Sequence, residues 1–231
     1  MTIYPGRGAF TSVGKDNGSS SYVYLTGKPD DGSTPTKGIN YQAVSLGVLA
    51  IQKRINVVGY SPALVEDGDL GPASDRAIRW FQGKNNLMVD GDCGPNTAHV
   101  LWHPIIGSLE SSHRILGHHL WGIASHESLL DPGAVGSSTP GDRGLVQWNT
   151  SNAGLTIQQA HDPVYALTKA AQRIYSAQIR YGTKGDLLRT NCSIAQWNSP
   201  LWADQWYSAG KPPNDQIASY VSKVLTQALS F

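Results

Sequence analysis

LGHHLWGIASHESLLDPGAVGSSTPGDRGLVQWN, residues 116–149, is the stretch on which the reading of this chain turns. At helical spacing Leu116, Leu120, Ile123 and Leu130 fall on one stripe, with Glu127 near its centre and His118 and Ser125 on the opposite face. A carboxylate on an apolar stripe is expensive. Buried and unpaired, it either takes up a proton or lines a cleft where it is used. A carboxylic acid kept protonated near neutral pH is what glycosidic bond cleavage requires. A lone glutamate in a helical pattern is more often solvated or ion-paired, so the residues that follow decide its meaning.

Glu127-Ser128 is followed by Asp131-Pro132, Ala134-Val135-Gly136, a Ser/Thr/Pro/Gly loop, and Asp142-Arg143-Gly144-Leu145-Val146-Gln147-Trp148-Asn149. The series resembles the transglycosylase family related to goose-type lysozyme. There a Glu-Ser pair ends a buried helix, an Ala-Val follows, and a Gly-Leu-x-Gln segment returns beside the cleft. Asp-Arg before Gly-Leu looks like the variant found in phage tail and lysis proteins. The resemblance implies an α-rich lysozyme-like catalytic domain over residues 113–231. It makes Glu127 the general acid and Gln147 the glycan contact, with Ser128, Trp148 and Asn149 as further substrate-binding residues. Downstream, Asp162 and Pro163 suit the N-cap and first position of a helix on which Leu167, Ala171, Ile174 and Gln178 share a face. Trp197-Asn198-Ser199-Pro200 resembles the segment closing the family's cleft, which brings Asn198 into the substrate set. Trp202 to Tyr207 competes for that assignment.

An internal repeat lies upstream, where Asp67-Gly68-Asp69-Leu70-Gly71-Pro72 recurs as Asp90-Gly91-Asp92-Cys93-Gly94-Pro95, each copy leading into a helical pattern. One small structural unit is used twice. Val44, Val48, Ile51, Ile55 and Val58 mark an amphipathic helix before the first copy, with Gln52-Lys53-Arg54 on its wet side. Ala77, Ile78 and Phe81 mark another between the copies, with Trp80 and Gln82 beside them. Residues 42–103 resemble the three-helix peptidoglycan-binding domain that accompanies many wall hydrolases, and Asp69 and Trp80 are its first candidate glycan contacts. The expected fold class is therefore mainly α, a small three-helix domain plus an α-rich lysozyme-like domain. Residues 104–112 are the expected linker between the two.

Residues 1–40 are polar and form a separate segment, either a linker or an arm that docks on a phage particle. Tyr22-Val23-Tyr24-Leu25 is its one strand-like run. No export leader and no membrane span is expected, so the protein would stay in the host cytoplasm until released to the wall, or travel on a virion. A net charge of +1 over 231 residues argues against nucleic acid as the main partner. Bacterial peptidoglycan is the expected partner and no cofactor is expected. Cys93 and Cys192 fall in different expected domains and are read as free thiols. Asn214 is expected to cap a last helix with Ile217, Val221, Val224 and Ala228 on one face.

The histidines raise a rival, a zinc amidase or peptidase using His118, His119, His126 and His161. The spacing opposes it, because no His-Glu-x-x-His occurs and His118 and His126 point away from the Glu127 stripe. A wall-binding protein with an inactive lysozyme-like domain is the third class, and retention of Glu127 and Gln147 weighs against it. Hydrolysis with inversion needs a second carboxylate roughly 6.5–9.5 Å from the acid. Goose-type lysozymes often carry an acidic residue two positions after the glutamine, where this chain has the neutral Asn149. Asp142 remains as the candidate second catalytic carboxylate. The favoured scheme uses Glu127 alone, first as acid and then as base toward the muramic acid 6-hydroxyl, to give a 1,6-anhydro product.

Overall fold

The computed structural model of the chain describes residues 39–68, 72–91, 93–136 and 141–231. Residues 1–38, 69–71, 92 and 137–140 lie outside the described residues, and with them the strand expected at Tyr22–Leu25 and the candidate Asp69. The described residues are mainly helical, with ten α-helices and one two-stranded antiparallel hairpin. They cluster into two compact units. The first holds the described residues up to Trp102 together with Ser128–Ala166, and the second holds His103–Glu127 and Leu167–Phe231.

In the first unit, α1 (Ile39–Val57), α2 (Pro72–Lys84) and the start of α3 (Pro95–Ser112) form a small helical core. Val48, Ile51, Ile55, Ala77, Ile78, Phe81, Ala98 and Leu101 are buried in it, as helical spacing predicts. The repeat owes its form to two buried glutamines. Gln52 Oε1 accepts from Gly68 N at 2.8 Å, while its Nε2 donates to Asp67 Oδ1 at 2.9 Å and Ser74 Oγ at 3.0 Å. One helix later Gln82 Oε1 accepts from Gly91 N at 2.9 Å, and its Nε2 donates to Asp90 Oδ1 at 2.8 Å and Thr97 Oγ1 at 3.1 Å. Each Asp-Gly turn is thus tied to the helix before it and the helix after it. Gln52, expected on the wet face of α1, is 2% exposed. An amide can be buried where every polar atom finds a partner, and spacing alone does not reveal those partners.

Residues 104–112, expected as a linker, lie inside α3, which runs through Pro104 to Ser112. A proline within a helix removes one backbone bond and loosens the turn before it; here the Leu101 carbonyl in that turn accepts from Arg54 Nε at 3.0 Å. Residues 128–166, expected with the catalytic domain, belong to the first unit instead. They comprise the hairpin β1 (Asp142–Arg143) and β2 (Trp148–Asn149), the short helices α5 (Thr150–Ala153) and α6 (Ile157–His161), and the first turn of α7 (Pro163–Arg180). In the hairpin Asp142 pairs with Asn149 and Arg143 with Trp148. Gly144 opens its turn at φ +71°, and any side chain there would strike the Ala160 carbonyl. Only glycine fits. Asp162 Oδ1 caps α7 by accepting from Tyr165 N at 2.9 Å.

The second unit contains the rest of α3, α4 (His119–Ser128) up to Glu127, most of α7, α8 (Asp186–Asn198), α9 (Pro200–Ala209) and α10 (Asp215–Ala228). Leu167, Ala171, Ile174 and Gln178 form the buried face of α7, and Ile217, Val221, Val224 and Ala228 that of α10. Asn214 caps α10, its side chain accepting from Ile217 N at 3.0 Å. Cys93 and Cys192 are not joined in a disulfide. Among the described residues no helix is long and apolar enough to cross a membrane.

Candidate active site

The helix carrying Glu127 is shorter than its apolar spacing suggests. Leu116 precedes α4 and is 46% exposed, and Leu130 follows it at φ +67°, so neither belongs to a helical stripe. From Leu120 to Ser125 every residue of α4 is buried. Glu127 is half-buried in its last turn rather than central to an apolar face. The other end is held by Glu110 of α3, itself 4% exposed. Its Oε1 accepts from Trp121 N at 3.0 Å and its Oε2 from His118 Nδ1 at 2.9 Å. A carboxylate on the first-turn amides of a helix satisfies an orphan donor and complements the helix dipole.

Sequence reasoning missed a residue that touches Glu127. Tyr220 of α10 donates its hydroxyl to Glu127 Oε1 at 2.6 Å, across 93 positions of sequence. Tyr220 is 8% exposed and stands edge-on to His126, with ring centroids 5.3 Å apart. Burial, then the charge and hydrogen bond of Glu127, push the Tyr220 phenol well above its ordinary range, and Arg173 opposes them. The phenol is therefore a neutral donor throughout the working pH range. Arg173 of α7 is fixed in turn: its Nη2 donates to the Gln196 carbonyl at 2.7 Å, and its guanidinium carbon lies 5.0 Å from the centre of the Trp197 ring. A reader of the sequence had one clue, a tyrosine on the buried face of α10 whose hydroxyl needs a partner.

The remaining candidates of the motif lie in the first unit. Ser128, expected to bind substrate, is 1% exposed and donates its hydroxyl to the Leu145 carbonyl at 2.7 Å. The bond ties Ser128 to the segment carrying Gln147 within the first unit. Trp148 is likewise a core residue, 7% exposed, with its indole N–H donated to the Ala166 carbonyl at 3.1 Å. Asn149 caps α5, its side-chain oxygen accepting from Asn152 N at 3.2 Å. Asp142 and Gln147 are half-buried. Gln147 adopts φ +50° and donates from Nε2 to the Gly144 carbonyl at 3.0 Å. In the second unit Asn198 is exposed at the end of α8, and Trp206 of the competing segment is 6% exposed.

The histidines serve separate local structures. Gln178 Nε2 donates to His119 Nδ1 at 3.3 Å, and burial lowers His119 to about 4. His161 donates from Nδ1 to the Pro132 carbonyl at 2.7 Å, and burial lowers it to about 4 as well. Among the described residues no group of three or more His, Cys, Asp or Glu side chains is placed to hold a metal.

Asp131 carries a pH dependence that can be measured. Its Oδ1 accepts from Gly133 N at 2.7 Å, its Oδ2 is buried without a partner, and burial raises its pKa to about 7. The folded chain holds this proton up to about pH 7, whereas the unfolded chain releases it near 3.8. Stability contributed by the neutral acid is therefore complete below about pH 4 and is lost as pH rises to 7. Asp131→Asn keeps the Gly133 bond and removes the titration. Urea unfolding at pH 4.5 and pH 8 should show the variant gaining on the wild type at the higher pH, by an amount on the order of a few kcal/mol. His119 and His161, which act in the opposite direction below pH 6.5, are common to both proteins and cancel. Parallel pH profiles for the two would contradict the buried-acid reading.

Residues 45–101 match the family model described as a putative peptidoglycan binding domain. The match supports peptidoglycan as a partner of the chain and a cell-wall-associated role. No curated protein and no solved structure matches the chain.

Proposed function

We propose that the chain is a peptidoglycan-cleaving lysin that cuts the MurNAc-β-1,4-GlcNAc bond as a lytic transglycosylase. The observation carrying this reading is the Glu127 carboxyl at the end of a buried helix, oriented by the Tyr220 hydroxyl at 2.6 Å. The peptidoglycan-binding match over residues 45–101 and the Glu-Ser to Gly-Leu-x-Gln resemblance support it. Glu127 donates its proton to the glycosidic oxygen as the bond from C1 of muramic acid breaks, and the electron pair leaves with the 4-oxygen of the departing GlcNAc. The Glu127 carboxylate then takes the proton of the muramic acid 6-hydroxyl, whose oxygen closes on C1. Tyr220 holds the carboxyl through both transfers, and the family resemblance implies a glycan contact for Gln147.

Asn149 supports the single-acid scheme. It is a neutral amide already engaged as a helix cap, so it cannot activate water as a base. Digestion of purified wall should yield disaccharide-peptides ending in 1,6-anhydromuramic acid, lighter in mass spectrometry by one water than hydrolysis products. Reducing-end muramic acid would instead make the protein a muramidase with Asp142 as second carboxylate. Free stem peptides with intact glycan would overturn the reading.

A further inference from the structure

The core of the first unit does not need Trp80. The buried residues of α2 are Ser74, Ala77, Ile78, Phe81 and Gln82, and Trp80 stands outside them, half-buried. An indole on the outer side of a helix adds little to helix propensity, so its placement calls for another reason.

Its neighbours are held in place by the backbone. The chain leaves α1 through a Schellman motif, with Gly59 N donating to the Asn56 carbonyl at 3.0 Å and Tyr60 N to the Ile55 carbonyl at 3.2 Å. Gly59 supplies the φ of +93° that this motif requires. Tyr60 is thereby fixed beside Trp80, with ring centroids 5.3 Å apart and planes at 65°. One turn further along α2, the exposed Lys84 places its ammonium 4.8 Å from the centre of the Trp80 ring.

We infer that Tyr60, Trp80 and Lys84 form the glycan-binding site of the first unit, taking an N-acetylated hexosamine whose attached peptide carries a carboxylate. This inference rests on the peptidoglycan reading and names the surface that performs it. Two aromatic planes meeting at an angle form a corner, in which a sugar ring stacks on one plane and its acetamido group lies against the other. Lys84 supplies the complementary charge. At the end of a flexible four-carbon stem, its ammonium exchanges the indole face for the carboxylate of the stem peptide. Both aromatic side chains are positioned before ligand arrives, which lowers the ordering cost of binding.

The test is co-sedimentation of the full chain with purified sacculi on ice, where digestion is slow. Trp80→Ala should weaken binding by roughly tenfold or more, as truncation of an aromatic anchor does. Trp80→Tyr should restore most of it. Lys84→Glu should weaken binding at low salt by about threefold or more, with the difference shrinking as salt is raised. Digestion of short soluble glycan fragments should be unchanged in all three, because none of these residues belongs to the proposed catalytic group. If the wild type stays in the supernatant, the peptidoglycan-binding reading itself fails. If the wild type sediments and Trp80→Ala binds equally well, the site lies elsewhere on the domain and this inference is overturned. Should Trp80→Ala prove unfolded, Lys84→Glu decides, and unchanged binding at low salt overturns the inference.

Discussion

Glu127→Gln is expected to abolish the proposed wall lysis, with a loss of at least ~100-fold in the rate at which sacculi clear. Glutamine preserves the shape of the side chain, and its amide oxygen can still accept the Tyr220 hydroxyl, which donates at 2.6 Å in the wild type. What it lacks is an acidic proton to give to the leaving oxygen. Half-buried at the end of α4, the side chain leaves the helix core intact, so urea unfolding should be shifted little. A variant that clears sacculi at near the wild-type rate would remove Glu127 from the chemistry. A variant with a much lower unfolding midpoint would make lost activity a folding effect, and the comparison would then pass to Tyr220.

Tyr220→Phe is expected to lower kcat by roughly 10-fold to 100-fold, the range for loss of one preorganised donor beside developing charge. In the proposed reaction, proton donation would leave a carboxylate on Glu127, and the Tyr220 phenol is a hydrogen-bond donor held against it. Phenylalanine keeps the ring packed against His126 at the same buried position. Folding should be nearly retained. KM should change little, because the hydroxyl touches the acid rather than the sugar. A rise in KM with kcat unchanged would place Tyr220 in substrate binding instead. The Tyr220 phenol, pushed well above its ordinary range, adds no ionisation of its own to the pH profile at neutral pH.

Much of the fold was legible from local chemistry. Asn214 and Asp162 cap α10 and α7 as their residue types predict, because a cap acts within three residues of itself. The repeated Asp-Gly turns and the prolines that open α2 and α3 were readable for the same reason. Helix limits were less readable. Leu129 and Leu130 take φ of +56° and +67°, conformations that no propensity assigns to leucine, and His118 takes +55°. They arise because the segments on either side are held by bonds such as Ser128 to Leu145 and Glu110 to Trp121. Residues 104–112, expected as a linker, continue α3 for a related reason, since a proline within a helix whose flanks are packed need not end it.

The candidate site divides along the same line. By itself the sequence determined the turns and caps, because residue type and short spacing carry that information. The tertiary structure alone decided the surroundings. It made Ser128 and Trp148 interior supports, turned Asn149 into a helix cap, and buried Gln52 and Gln82 as paired anchors of the repeat. It also brought Tyr220 to Glu127 from 93 positions away. The physical reason is that a buried polar atom must find a partner, and the partner is selected by packing in three dimensions rather than by position along the chain.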